Sequence, residues 1–212
     1  MKKLLITGFD PFGGASVNPA REAVMALPDV VGDYALTKLE IPTVFGLAAE
    51  TVLRAAEALC PDVILCVGQA GGRAAITPEV VAINLREASI PDNEGNQPID
   101  EPIFADGDAA YFSNLPVKAM VQEIKNAGYP TSLSNTAGTY ICNHVMYGIL
   151  YYIQKEFPNV RGGFIHVPYA CEQNHPSQPS LPLNLIAKGL EYSIEACLEH
   201  QNDLSLAAGC TH

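Results

Sequence analysis

The chain has 212 residues, 48% of them hydrophobic and 17% charged, with six cysteines and no tryptophan. That length suits one domain that buries a core without disulfide staples. Its 12 Lys and Arg against 23 Asp and Glu give a formal charge of −11, which argues against nucleic acid and anionic membranes as partners, and no run approaches the roughly 20 apolar residues that cross a bilayer.

Taken in order, apolar runs of strand length alternate with helical patterns. Lys3 to Thr7 reads as a short buried strand closed by Gly8. Asn18-Pro19 opens a helix to about Ala26, with Asn18 as N-cap and Pro19 at the first helical position. Ala35 to Ile41 reads as a second strand. Residues 46 to 60 read as a helix stopped by Pro61, and Asp62 to Val67 is a continuous apolar strand ending at Gly68. Val80 to Leu85 is a further strand candidate. The stretch from Pro91 to Asp108, rich in Pro, Asn, Asp and Gly, reads as a long surface hairpin or loop. Val117 to Ala127 is helical with Gly128 just past its end, and Thr131 to Ser134 is a short strand. From Cys142 to Phe157 a helical stripe recurs at 142, 145, 146, 149, 150 and 153. Gly163 to Val167 is a strand, and Ser180 caps a last helix running to about His200. Residues 205 to 212 read as a frayed tail.

Strands apolar on both faces and separated by helices indicate an α/β fold: a three-layer α/β/α sandwich around a mostly parallel, twisted sheet, in one domain. The start, Met1 to Ile6, is too short for a signal peptide. Cys60, Cys66, Cys142, Cys171, Cys197 and Cys210 form no C-x-x-C pair. Together these features predict reduced thiols in a cytoplasmic protein.

Ligands of open α/β sheets bind beyond the carboxyl ends of the strands. Gly8-Phe9-Asp10-Pro11-Phe12-Gly13-Gly14 follows the first strand, Gly68-Gln69-Ala70-Gly71-Gly72-Arg73 follows the third, and Asn135 to Cys142 follows the strand ending near Ser134. His166 lies near the carboxyl end of its own strand. Cys142 has two readings. On the apolar stripe with Met146, Ile149 and Ile153 it is a small buried hydrophobe, as Cys60, Cys66 and Cys197 are read to be. In the first turn of its helix it is placed where unpaired N–H groups favour a thiolate and can receive an oxyanion.

A nucleophilic Cys needs a base, and the base an orienting partner. His144, two residues on, faces away from Cys142. His175 lies in a polar loop, and His200 and His212 in the acidic C-terminus. His166 remains, equally readable as a hydrogen-bonded core histidine. Glu79, after Ile76-Thr77-Pro78 and beside the Gln69 loop, is the candidate third member, although a lone Glu after Pro is commonly a surface residue. No metal or cofactor is expected: the sequence has no phosphate loop, no G-x-G-x-x-G after a strand, no H-E-x-x-H and no zinc signature.

Over almost its whole length the chain resembles the pyroglutamyl-peptidase I, or pyrrolidone-carboxylate peptidase, family of cysteine peptidases. Leu133-Ser134-Asn135-Thr136-Ala137-Gly138-Thr139-Tyr140-Ile141-Cys142-Asn143-His144 is similar to that family's cysteine motif. Gly68 to Arg73, with Ile76-Thr77-Pro78-Glu79 and Ala82-Ile83-Asn84, is similar to its glutamate motif, and Phe164-Ile165-His166-Val167-Pro168 to its histidine motif. The resemblance implies a Cys142, His166, Glu79 triad that hydrolyses the amide bond after an N-terminal pyroglutamyl residue through a thioester. Phe9, Phe12 and Gln69 are then implied to hold the lactam ring, the substrate is a peptide with N-terminal pyroglutamate, and the chain is implied to be a homo-oligomer, dimer or tetramer.

Two positions depart from the family pattern. Val80 follows Glu79 where a basic residue is usual, and Ser89 stands where the family tends to have arginine. Arg73 and Arg86 are the candidates to stand in. Two alternatives stay open beside the leading reading: a pyroglutamyl-ligand binding protein with impaired catalysis, and a thiol hydrolase of another small amide.

Overall fold

The protein is described here as a computed structural model covering residues 1–208. Cys210, His212 and the last four residues of the expected tail lie outside the described residues.

In chain order the elements are β1 (Lys2–Phe9), α1 (Pro19–Ala26), β2 (Val30–Val31), β3 (Tyr34–Ile41), α2 (Leu47–Leu59), β4 (Val63–Gln69), β5 (Thr77–Pro78), β6 (Val81–Ile83), β7 (Ala110–Phe112), α3 (Val117–Asn126), α4 (Ile141–Lys155), β8 (Arg161–Val167), β9 (Tyr169–Ala170), β10 (Ser180–Leu181) and α5 (Leu183–Glu199). The central sheet runs in the order β2-β3-β1-β4-β8-β5. Its inner strands β3, β1, β4 and β8 are parallel, and the short edge strands β2 and β5 are antiparallel.

Two-residue alternation sorts the inner strands between two cores. Leu4, Ile6, Val63, Leu65, Val67, Ile165 and Val167 pack with α1, α3 and α5 on one face. Leu5, Ile64, Cys66 and Phe164 pack with α2 and α4 on the other. The expected three layers are therefore present. The chain leaves β1 toward β3 on one side and returns through α2 to β4 on the other, so the ends of β1 and β4 flank the switch point where such sheets bind ligands.

Local signals explain several boundaries. Asn18 accepts the Ala20 N–H at 3.1 Å, with Pro19 opening α1 as predicted. Cys60 in the left-handed region ends α2, and Gly128 at φ +85° follows α3.

Three expectations are corrected. Thr131 to Ser134 is not a strand: it makes only the isolated bridges Ile76↔Thr131 and Glu79↔Ser134. Around them run Ile76 N–H to Pro130 O, Ser132 N–H to Ile76 O, Ser134 N–H to Pro78 O and Val80 N–H to Ser134 O. The link between them needs an N–H from Pro78, which has none, so the ladder breaks in two. Of Val80 to Leu85, only Val81 to Ile83 is strand, and it pairs with β7 outside the central sheet. Asn143 on α4 ends it, accepting from Ile83 N–H and donating to Ile83 O and Leu85 O. Ser180 does not cap α5. It is held extended beside Tyr169, and the helix begins only after Pro182.

The α4 helix is buried nearly all round, from Ile141 through Ile153, rather than on a single stripe. The segment between Leu85 and Ala109 covers its outer face: Tyr147 Oη donates to Asp108 O at 2.7 Å, and Tyr151 Oη to the Asp106 carboxylate at 2.9 Å.

Gly8, at the ligand-binding end of β1, shows how closely α1 is packed. A Cβ there would lie 2.6 Å from Arg21 Cα and 2.8 Å from Arg21 N, backbone atoms of a helix that cannot step aside. Gly8→Ala is expected to destabilise the fold by about 1–3 kcal/mol, read as a lowered urea midpoint at constant m-value. A wild-type midpoint would mean that α1 moves freely against β1.

Candidate active site

Three parallel strands end side by side, and their last residues converge. Phe9 closes β1, Gln69 closes β4 and His166 stands one residue before the end of β8. Registration pairs Gly68 with His166. His166 has the parity of Phe164, so its side chain faces the α2/α4 layer, where α4 begins with Ile141 and Cys142.

Gly68 leaves the room that this meeting needs. A Cβ on it would lie 2.8 Å from Cys142 Sγ and 2.8 Å from Phe164 Cζ. The half-buried Cys142 thiol thus sits over the strand position beside His166. Among the described residues the thiol and the imidazole make no direct hydrogen bond, and such bonds are often long before a substrate tightens the site.

Glu79 follows β5 and reaches the same point from the far edge of the sheet. Its N–H donates to Phe164 O at 2.9 Å, and its side chain is fully buried. The imidazole Nδ1 of His166 lies 2.7 Å from Glu79 Oε1, and Arg73 Nη1 donates to the same oxygen at 2.6 Å. Glu79 is thus a core residue rather than the surface residue its sequence context allowed. With a carboxylate on Nδ1, the ring carries its proton there and leaves Nε2 as the basic nitrogen.

Electrostatics define the resting state. Burial, with a smaller push from the Glu79 charge, raises the Cys142 thiol to about 12, while Arg73 pulls it down. The backbone N–H contribution at the helix start is minor, so the expectation that this position favours a thiolate is outweighed by burial. Burial also lowers the His166 imidazole, Glu79 raises it and Arg73 lowers it again, leaving it below its ordinary value. Both shifts favour the uncharged forms, a thiol beside a neutral imidazole.

Beside the thiol is a small, largely apolar pocket lined by Phe9, Phe12, Asn18, Thr43, Gln69, Tyr140, Ile141 and Cys142. Phe12 and Tyr140 face each other at 6.4 Å, and Tyr140 meets Phe45 edge-on at 5.3 Å. The Gln69 amide is oriented by Gln173, whose Nε2 donates to Gln69 Oε1 at 3.0 Å. Asp10 ties the walls together, accepting the Thr43 N–H at 2.7 Å. The long loop closes the far side: Tyr140 Oη donates to Pro91 O and Asn93 Nδ2 to Pro11 O. Buried Asp92 anchors that loop. Hydrogen bonds from Asn96, Phe45 and Glu94 outweigh the upward push of burial and hold its carboxyl below the usual range.

The six residues assigned to the site lie here: Cys142, His166 and Glu79 at the ends of the strands, and Phe9, Phe12 and Gln69 around the pocket. Asn18, Thr43, Tyr140 and Ile141 are further pocket walls that the sequence pattern does not single out. Asn18 was absorbed by its capping role, and Thr43 carries no motif. Neither candidate arginine is unengaged. Arg73 is held by Glu79, and Arg86 pairs with Glu101 at 2.6 Å. Ser89 is exposed on the covering loop. Cys60, read as buried, is exposed, whereas Cys66 and Cys197 are fully buried.

The pyroglutamyl peptidase family profile matches residues 2–200. A pyrrolidone-carboxylate peptidase of Clostridium perfringens is 56% identical over 209 residues, 98% of each chain. Pyrrolidone-carboxylate peptidase 1 of Streptococcus pneumoniae is 52% identical, covering 99% of this chain and all of that one. The crystal structure of Bacillus amyloliquefaciens pyroglutamyl peptidase I is 49% identical with a TM-score of 0.93, over 96% of this chain and all of that one. Pyrrolidone carboxyl peptidase from Thermococcus litoralis gives the same TM-score at 34% identity, over 97% and 99% of the two chains. The chain belongs to the pyroglutamyl peptidase family and is a cysteine-type exopeptidase.

His144 is buried against Phe45, its Nδ1 has no partner, and burial with the nearby Arg86 charge lowers it to about 4. Unfolding restores an ordinary histidine near 6.5, so the unfolded state binds more protons between those values and stability falls as pH drops through that window. His166 acts in the same direction. His144→Phe is expected to remove about 2 kcal/mol of the stability difference between pH 7 and pH 5, measured by urea unfolding at both. An unchanged difference would rule out His144 as a neutral buried group.

Proposed function

We propose that this member of the pyroglutamyl peptidase family hydrolyses the amide bond after an N-terminal pyroglutamyl residue, using Cys142, His166 and Glu79 as its triad. The observation that carries the reading is the 2.7 Å bond from the His166 imidazole to buried Glu79, beside a thiol that itself lines an aromatic pocket.

The lactam ring of the substrate lies between Phe9 and Phe12, with its amide paired to Gln69. Pyroglutamate has no charged α-amine, so apolar walls with a few amide partners suffice to recognise it. Because Gln173 occupies Gln69 Oε1, the Gln69 NH₂ is the group free to donate to the lactam carbonyl.

Catalysis starts from the neutral thiol–imidazole pair. His166 Nε2 takes the Cys142 proton as sulfur attacks the pyroglutamyl carbonyl, and Glu79 stabilises the imidazolium through Nδ1. N–H groups at the start of α4 receive the oxyanion. The imidazolium returns its proton to the leaving amine, which departs with the rest of the peptide. Water, activated by the same imidazole, then hydrolyses the thioester. A nucleophilic thiol needs reducing conditions, which fits a cytoplasmic protein. The family resemblance also favours a homo-oligomer, dimer or tetramer.

Reduced protein is expected to turn over a pyroglutamyl chromogenic amide and to leave prolyl and glutamyl amides intact. Absence of turnover in folded, reduced protein would sink this function. Cys142→Ala is expected to lower kcat by at least about a thousandfold with an unchanged circular dichroism spectrum, and surviving activity would remove Cys142 from the triad. Phe12→Ala is expected to raise KM about tenfold with a smaller change in kcat, in parallel assays. A wild-type KM would take Phe12 out of the ring pocket.

A further inference from the structure

Arg73 is tied to two segments that meet at the site, the β5 stretch and the loop before α4. Its Nη1 donates to Glu79 Oε1 at 2.6 Å and to Thr77 Oγ1 at 2.5 Å, and its Nη2 donates to Thr136 O at 3.0 Å, in the loop leading to Cys142. Thr77 in turn pairs with His166 across β5 and β8. The guanidinium therefore links the carboxylate, the strand pair that holds the imidazole and the approach to the thiol.

The charge count gives that link a function. Glu79 is fully buried, and among the described residues its Oε2 has no hydrogen-bond partner. Once the proton moves from sulfur to imidazole, thiolate, imidazolium and carboxylate together leave one net negative charge in a poorly solvated site. Such a charge is costly without a counter-ion. The other titratable groups near the thiol are Cys66 and Tyr140, each pushed up to about 12 by burial and so neutral. Among the described residues the His166 imidazole faces Glu79 and Arg73 as its charged partners.

We propose that Arg73 is a positioning residue for the reaction, neutralising the ionised Cys142–His166–Glu79 group and fixing Glu79 against His166. The inference rests on the triad reading given above. Removing this cation favours protonation of both thiol and imidazole, so both limbs of the pH profile move to higher pH. A purely structural residue would lower activity without moving the limbs.

The test follows kcat/KM against pH for a pyroglutamyl chromogenic amide, together with the pH dependence of iodoacetamide alkylation. Alkylation is read on the Cys142-containing peptide by mass spectrometry, since Cys60 and Cys171 are also exposed. Arg73→Met and Arg73→Gln are expected to shift both limbs and the alkylation curve upward by about one pH unit. Arg73→Lys keeps the charge but loses the fork, so its limbs stay within a few tenths of a pH unit of wild type while kcat falls several-fold. Arg54→Met removes an equal charge from a solvent-facing pair with Glu50 on α2 and is expected to leave all curves in place. Unmoved limbs in Arg73→Gln, or equal shifts in Arg73→Lys and Arg73→Met, would overturn the proposal. If wild-type protein does not hydrolyse the amide, the functional reading falls, and the alkylation curves alone still decide on Arg73.

Discussion

The site depends on one buried carboxylate. Glu79 is fully enclosed, and an ion in that position is tolerated only with partners that return what water gave it. His166 and Arg73 both bond to its Oε1, while its backbone N–H is fixed by Phe164 O on β8. Satisfying this charge draws two stretches distant in sequence, residues 73–79 and the end of β8, to one point. It also selects the imidazole tautomer that carries its proton on Nδ1.

Sheet parity sets the rest of the geometry. In β8, Ile165 and Val167 belong to one core and Phe164 to the other, so His166 must face the layer containing α4. A one-residue slip would turn the imidazole toward α1 and α5, away from Cys142. Gly68, registered with His166 on the neighbouring strand, then gives the thiol its space. Gly8 plays the matching part on β1, where helix α1 approaches on the opposite face.

The segment between Leu85 and Ala109 links stability with recognition. It covers α4 through the tyrosine hydroxyls and Asn143, and its Pro91 to Asn93 part braces Tyr140, Phe45 and Asp10 around the pocket. This explains why α4, which carries the thiol, is buried on nearly every face. A thiol on so enclosed a helix gains fixed geometry, and the same burial raises its pKa.

Much of this was legible in the chain itself. Continuous apolar runs separated by helical patterns specified the layered α/β fold, Asn18-Pro19 marked the start of α1, position near strand ends singled out Phe9, Gln69 and His166, and the first turn of its helix singled out Cys142. Local pattern misjudged elements whose hydrogen bonds are settled at a distance: Pro78 breaks a ladder that Thr131 to Ser134 would have completed, and Asn143 ends a strand sixty residues earlier in the chain. The six cysteines, alike in composition, were separated only in part by spacing, since Cys60 is exposed despite its apolar setting. Sequence thus determined which side chains reach the ligand-binding edge, because strand and helix periodicity is local. The tertiary structure alone decided that Glu79 is buried and bonded to both His166 and Arg73, because its burial and its contact with β8 depend on residues that only the folded sheet brings together.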